Sequence, residues 1–268
     1  LSVLEARGAH CLECIVAHPD KDLLVRVRDS LRRHGTERAR YLVLFGNWRD
    51  VPPVAVENPL DGDNDDFCMS DVPYGVLENI DQPIYPEVAV GRIPVVDRGV
   101  LERLLDVGTS SSLIESPLAA AISAECWGDA TTEIVSSLAG RSSVQKLAEP
   151  TPNLPRSGLA VLLAPRWDVD AVGVTLGSSL NIEHQVLLFN VHGSADVTSW
   201  YGEGLHGGSS CVFTPGLVLD YRCAILFTEA CYGGALNYDE PSVTEDFFLC
   251  GGAAMVGSST IAYGSCTR

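Results

Sequence analysis

The chain has 268 residues, 46% of them hydrophobic, enough for one large domain or two small ones with a buried core. That apolar content excludes intrinsic disorder, and the longest apolar runs, Leu118–Ile122 and Val186–Phe189, fall far short of the roughly 20 residues that span a bilayer, so no membrane partner is expected. Eighteen Lys and Arg against 35 Asp and Glu give a net charge of −17, which repels phosphate backbones and attracts basic groups; nucleic acid is therefore not an expected partner.

Nine cysteines, an odd number in a chain much longer than a disulfide-stapled minidomain, read as free thiols in a reduced, cytoplasmic rather than secreted, protein. Cys126, Cys223 and Cys250 lie in apolar stretches, where a thiol behaves as a small hydrophobe.

In chain order, His18–Gly35 reads as a helix. Asp20 caps it, Leu23, Val27 and Leu31 fall on one face, and Gly35 stops it. Tyr41–Phe45 is the first clear strand, ended by Gly46. An acidic loop, Asn58–Asp66, precedes a strand at Val88–Arg92 and a helix at Asp97–Val107 stopped by Gly108. Further strands are expected at Leu118–Ser123, Leu159–Leu163, Val186–Val191, Ala224–Thr228 and Ala253–Val256. Helices are expected near Thr131–Leu138, Asp168–Leu180 and Val243–Leu249. This alternation is the mark of an α/β fold with a mostly parallel sheet. Glu149–Pro155, rich in proline, reads as a surface loop because the alternation continues across it.

Functional groups of open α/β sheets gather at the carboxyl ends of strands. Two such ends stand out. The strand Val186–Val191 runs into His192-Gly193-Ser194, and Ala224–Thr228 runs through Glu229-Ala230 into Cys231-Tyr232-Gly233-Gly234. If these strands are neighbours, an imidazole and a thiol share one sheet edge, the pairing that nucleophilic thiol catalysis requires. The N–H groups of Gly193 and Cys231 are then candidate oxyanion donors. A histidine or cysteine taken alone is far more often a satisfied polar residue or a buried hydrophobe; the matched strand-then-glycine contexts bring the two readings level.

These residues, with Trp200 downstream of His192, resemble the gingipain-type cysteine peptidases of the caspase-like clan, which also includes CHAT-type domains and separases. Tyr41–Pro53, Ser70–Gly75, Pro86–Pro94, Ile122–Glu125 and Gly257–Ile261 continue the likeness in order along the chain. The resemblance implies a single caspase-like domain over residues 1–268, a three-layer α/β/α sandwich, acting as a cysteine endopeptidase on protein or peptide substrates. It implies Cys231 as nucleophile, His192 as its base or imidazolium partner, Gly193 as oxyanion donor, and Glu125 as the carboxylate that orients His192. Cys126–Ile134 matches the specificity pocket, so Asp129 or Glu133 would meet a basic P1 side chain, with Tyr263 as an aromatic wall and Trp200 assigned to substrate binding. Both acids also suit a helix N-terminus.

The resemblance further implies a first strand before Leu1 and more helix and strand after Arg268, so the domain is expected to be incomplete at both ends, with self-processing after Arg268 as one origin of that end. A second reading is a regulatory module of a larger signalling or defence protein of the kind found in bacteria, silent until an activating partner or appended sensor domain engages it. No cofactor is expected to be required. His10, Cys11, Cys14 and His18 have ligand-like spacing, the basis of a third reading as a zinc-binding interaction domain, but without a second separated pair they read as an ordinary strand. Asp61–Asp66 resembles the start of a Ca2+ loop without its sixth-position glycine and twelfth-position glutamate. It reads as a solvated loop with room for an opportunistic structural Ca2+. Nucleophile-elbow, phosphate-loop and dinucleotide motifs are absent.

Overall fold

The computed structural model describes residues 22–34, 39–59, 62–78, 85–107, 119–138, 144–147, 159–164, 186–196, 199–203, 209–214, 225–236 and 240–262. The chain divides into two compact units, Leu1–Asp97 and Arg98–Arg268. No helix among the described residues is long and apolar enough to cross a membrane. The expected helix at Asp168–Leu180, the loop at Glu149–Pro155, the Cys11/Cys14 stretch, Asp20, Gly35 and Gly108 lie outside the described residues.

In the first unit, helix α1 (Leu23–His34) places Leu23, Val27 and Leu31 on its buried face. That face packs with Leu44, Tyr74, Leu77 and Val88. Strand β1 (Tyr41–Phe45) carries Leu44 toward this core, while Tyr41, Val43 and Phe45 are exposed, as the alternation of a strand dictates. An antiparallel hairpin follows, β2 (Val54–Glu57) and β3 (Phe67–Ser70), in the register Val54↔Ser70 and Glu57↔Phe67. The acidic loop between them closes on itself. Asn58 Nδ2 donates to Asp63 Oδ2 at 2.8 Å and to the Asp65 carbonyl at 2.9 Å. Strand β4 (Ala89–Ile93) pairs in parallel with β1, Tyr41 opposite Ala89 and Phe45 opposite Ile93.

Arg92 of β4 organises the loops around this pair. Its Nε and Nη2 donate to the two oxygens of Asp71 at 2.7 and 2.6 Å, forming a bidentate fork. Nη1 reaches the Gly46 and Asn47 carbonyls at 2.7 and 3.0 Å, and Nη2 the Val51 carbonyl at 2.8 Å. Every guanidinium N–H is thus satisfied. Tyr74 donates its hydroxyl to the Pro52 carbonyl at 2.7 Å. Burial pushes its pKa up to about 12.

The second unit is built on a six-stranded sheet in the order β13-β12-β8-β5-β7-β6. Its strands are β5 (Ala119–Ala124), β6 (Val144–Leu147), β7 (Leu159–Ala164), β8 (Val186–Asn190), β12 (Ile225–Thr228) and β13 (Ala254–Gly257). All adjacent pairs are parallel. Five of these strands match the expected positions within a residue at their starts; β6, with Gln and Lys in a four-residue strand, did not stand out in the sequence. A second sheet, β11-β10-β9, is antiparallel. It comprises β9 (His192–Gly193), β10 (Trp200–Glu203) and β11 (Ser209–Phe213). The α-helices described in this unit are α2 (Arg98–Val107), α3 (Gly128–Leu138) and α4 (Val243–Leu249). Ser242 and Glu245 form a reciprocal capping box on α4.

Central strand β8 is buried along Leu187–Asn190, as expected of a parallel strand covered on both faces. Phe189, Trp200 and Phe213 form an aromatic cluster with centroids 5.0 to 5.8 Å apart. A buried polar network ties α3 to the ends of β5 and β8. Thr131 Oγ1 lies 2.7 Å from Ser123 Oγ, accepts from Asn190 Nδ2 at 2.9 Å, and donates to the Trp127 carbonyl at 3.1 Å. Buried polar groups hold a structure only while satisfied. Thr131→Val is therefore expected to cost about 1–3 kcal/mol in urea unfolding; an unchanged midpoint would show that Asn190 and Ser123 find other partners.

Candidate active site

Strands β8 and β12 are neighbours, in the register Val186↔Ile225 through Phe189↔Thr228. Their carboxyl ends therefore coincide, and the Glu229 amide extends the ladder to the Phe189 carbonyl at 2.8 Å. His192 and Cys231 leave the sheet at this shared edge. His192 is not in a loop, however. After the buried Val191 the chain enters β9, and His192 stands opposite Tyr201 of β10, with Gly193 opposite Trp200.

Gly193 brings the two segments into contact. A Cβ built on it would collide with the Cys231 carbonyl oxygen and sit 2.8 Å from the carbonyl carbon and 3.0 Å from the amide nitrogen. Only a residue without a side chain permits this backbone-to-backbone approach.

Beyond β12, Cys231 begins a tight turn whose next residue, Tyr232, has φ of 55°. For an aromatic residue that left-handed conformation is strained, and such strain persists only where surrounding bonds enforce it. Here the Tyr232 amide donates to the Thr260 carbonyl at 2.8 Å and the Gly234 amide to the Ser258 carbonyl at 2.8 Å. Within the turn, Gly233 N bonds Ala230 O at 2.9 Å and Ala235 N bonds Tyr232 O at 3.0 Å. The Cys231 thiol points to the Ala262 carbonyl at 3.8 Å.

His192 Nε2 lies 2.7 Å from Glu203 Oε2, the two side chains being 38% and 39% exposed. The Trp127 ring lies against the imidazole, with centroids 4.4 Å apart at 48°. Cys126 donates its thiol to the same Glu203 oxygen at 3.7 Å. Burial, and then the Glu203 and Glu125 carboxylates, push the Cys126 thiol pKa up. Burial raises that of Cys211 as well. Neither environment favours the thiolate that a nucleophile needs.

The remaining expected residues fall in different places. Glu125 opens the short 3-10 turn Glu125–Trp127 after β5, where its charge acts on Cys126; Glu203, a carboxylate in contact with His192, is one the sequence reading did not single out. Asp129 and Glu133 are exposed one turn apart on α3, which begins directly after Trp127. Trp200 is 1% exposed and packed against Phe189 and Phe213. That is a core position on β10, beside Gly193 of β9, which offers no exposed surface for the substrate contact expected of it. Tyr263 lies outside the described residues. Among the described residues, no group of three or more His, Cys, Asp or Glu could hold a metal ion.

Comparison with known proteins gives one finding. Residues 21–108 match the sequence profile of peptidase family C25. The matched segment runs from α1 into α2 and includes Asp71 and Arg92, while His192 and Cys231 lie beyond it. It supports a cysteine peptidase of this family, a hydrolase with protein or peptide substrates. No curated protein and no solved structure matches the chain.

Proposed function

We propose that the chain is a cysteine endopeptidase of the caspase-like clan, with a three-layer α/β/α arrangement, Cys231 as nucleophile and His192 as its proton acceptor. The observation that carries this reading is the close approach of Gly193 to the Cys231 backbone at the shared end of β8 and β12. The two segments that meet there carry an imidazole, a thiol and two main-chain N–H groups.

In the reaction, the Cys231 sulfur gives its proton to His192 and attacks the scissile carbonyl carbon. The N–H groups of Cys231 and Gly193 receive the oxyanion. The C–N bond breaks as imidazolium protonates the departing amine, leaving a thioester. His192 then takes a proton from water, the hydroxide attacks the thioester, and the thiol is released with its proton restored. Asp129 and Glu133, exposed on the first turns of α3, are the acids that would meet a basic P1 side chain by charge-assisted hydrogen bonds. Aspartate at P1 would be repelled by the same pair.

The test is hydrolysis of fluorogenic peptides with P1 Arg, Lys, Asp or Leu by the chain and by its Cys231→Ala variant. Cleavage after Arg and Lys that falls to background in the variant is the expected result. Cleavage after Asp alone would overturn the pocket assignment. Equal turnover by the variant would overturn the nucleophile. Silence of both proteins while folded would move the reading to a module that waits for an activating partner.

A further inference from the structure

Resting on that reading, we infer that Glu203 is the positioning residue of His192, holding the tautomer in which Nε2 carries the proton and Nδ1 is left to accept the proton of Cys231.

Strand register is the first support. His192 of β9 faces Tyr201 of β10, and residues two apart on a strand share a face, so Glu203 is the diagonal cross-strand neighbour of His192. Its partner atom follows from geometry, with Glu203 Oε2 at 2.7 Å from Nε2. A carboxylate only accepts hydrogen bonds, so the ring nitrogen facing it must be the donor. A neutral imidazole has one N–H; with that hydrogen on Nε2, Nδ1 is the basic nitrogen.

Two further contacts restrict the pair. Trp127 lies against the ring at 4.4 Å and limits its rotation. Cys126, whose raised pKa keeps it a thiol and hence a donor, reaches the same Oε2 at 3.7 Å and orients the carboxylate. Trp127 is itself tied through its carbonyl to Thr131 of the buried network. The imidazole is thus held on one side by a strand and on the other by the turn that opens α3. Glu203 does not touch the reacting atoms in this scheme. Its effect passes through His192.

The experiment compares the full chain with Glu203→Gln and Glu203→Asp, reading kcat and KM separately and recording the nitrogen-15 shifts of His192. Glutamine is neutral, and its amide can accept from Nε2–H or, rotated, donate to a bare Nε2, so it no longer fixes one tautomer. Glu203→Gln is expected to lower kcat by about 10- to 100-fold with KM unchanged and to shift the ring from the Nε2–H tautomer toward a mixture of the two. Glu203→Asp keeps the charge and recovers part of kcat. Both positions are over a third exposed, so the fold tolerates either change. A rise in KM at constant kcat would make Glu203 a substrate-binding acid and overturn the proposal, as would wild-type kcat in Glu203→Gln. The nitrogen shifts need no turnover. If the chain hydrolyses nothing, an Nε2–H tautomer whose share falls in Glu203→Gln upholds the placement of Glu203 while the peptidase reading falls; an Nδ1–H tautomer in the unaltered chain, or a tautomer share untouched by Glu203→Gln, overturns the placement of Glu203.

Discussion

Gly193→Ala is expected to lower kcat/KM by more than about 100-fold while leaving the second unit folded. The added methyl would meet the main chain of Cys231, not the movable end of a side chain. Something in the backbone must therefore shift. Neither side yields easily. Gly193 is paired to Trp200 in the β9–β10 ladder, and the Cys231 turn is bonded to residues 258 and 260. A displacement of about 1 Å between reacting groups costs on the order of 100-fold in rate, and overpacking of this kind typically costs about 1–3 kcal/mol of stability. The measurement is kcat/KM on an arginine peptide, with the rate of Cys231 alkylation by iodoacetamide and the thermal midpoint alongside. A large loss of kcat/KM with a small change in midpoint is the expected pattern. Wild-type kcat/KM would show that the close approach has no part in catalysis.

Arg92→Ala is expected to destabilise the first unit by about 3–5 kcal/mol, the cost of leaving a buried charge without its partner. The Arg92 side chain is 8% exposed and Asp71 21%, so neither is well hydrated. Removing the guanidinium strands the Asp71 carboxylate and leaves the carbonyls of Gly46, Asn47 and Val51 without this donor. Arg92→Lys restores charge but not the fork, because an ammonium cannot donate in parallel to both carboxylate oxygens from a planar group. It is expected to recover less than half of the loss. Hydrogen exchange at the amides of β1 and β4 reads this unit directly. Protection that survives Arg92→Ala would show that helix α1 and the hairpin hold the loops alone. The profile match spans this region and ends before His192 and Cys231, so Arg92→Ala probes the matched part of the chain apart from the proposed dyad.

Apolar periodicity and runs made much of the framework readable. Leu23, Val27 and Leu31 identify α1 by spacing, and Val243–Leu249 is a helix with the bounds its pattern implies. Val186–Phe189 is a continuous apolar run because both faces of the strand are covered, and that strand points directly at His192. Glu203 was hidden for an equally physical reason. Trp200–Glu203 is a strand because of what lies beside it, pairing with a two-residue strand on one side and a bulged one on the other. Such a relation depends on register, and register is not written in local composition. Trp200 shows the same dependence on register. Its place in the sequence, shortly after His192, suggests substrate binding, yet its indole is packed against Phe189 and Phe213. The hairpin β2–β3 escaped notice because four-residue strands flanking an acidic loop carry too few alternations to register as a pattern.

The turn after β12 has a mechanical consequence. Cys231 is carried by one strand, but its sulfur, the following amide and the amide of Gly234 are all bonded to carbonyls between Ser258 and Ala262, beyond β13. Tyr232, with its left-handed backbone, sits between them. A displacement of residues 258–262 is therefore expected to reach the thiol proposed as nucleophile. A pull or push applied there, by a ligand or by chain attached beyond it, reaches the sulfur across hydrogen bonds without deforming the sheet, and so can tune reactivity while the fold stays as it is.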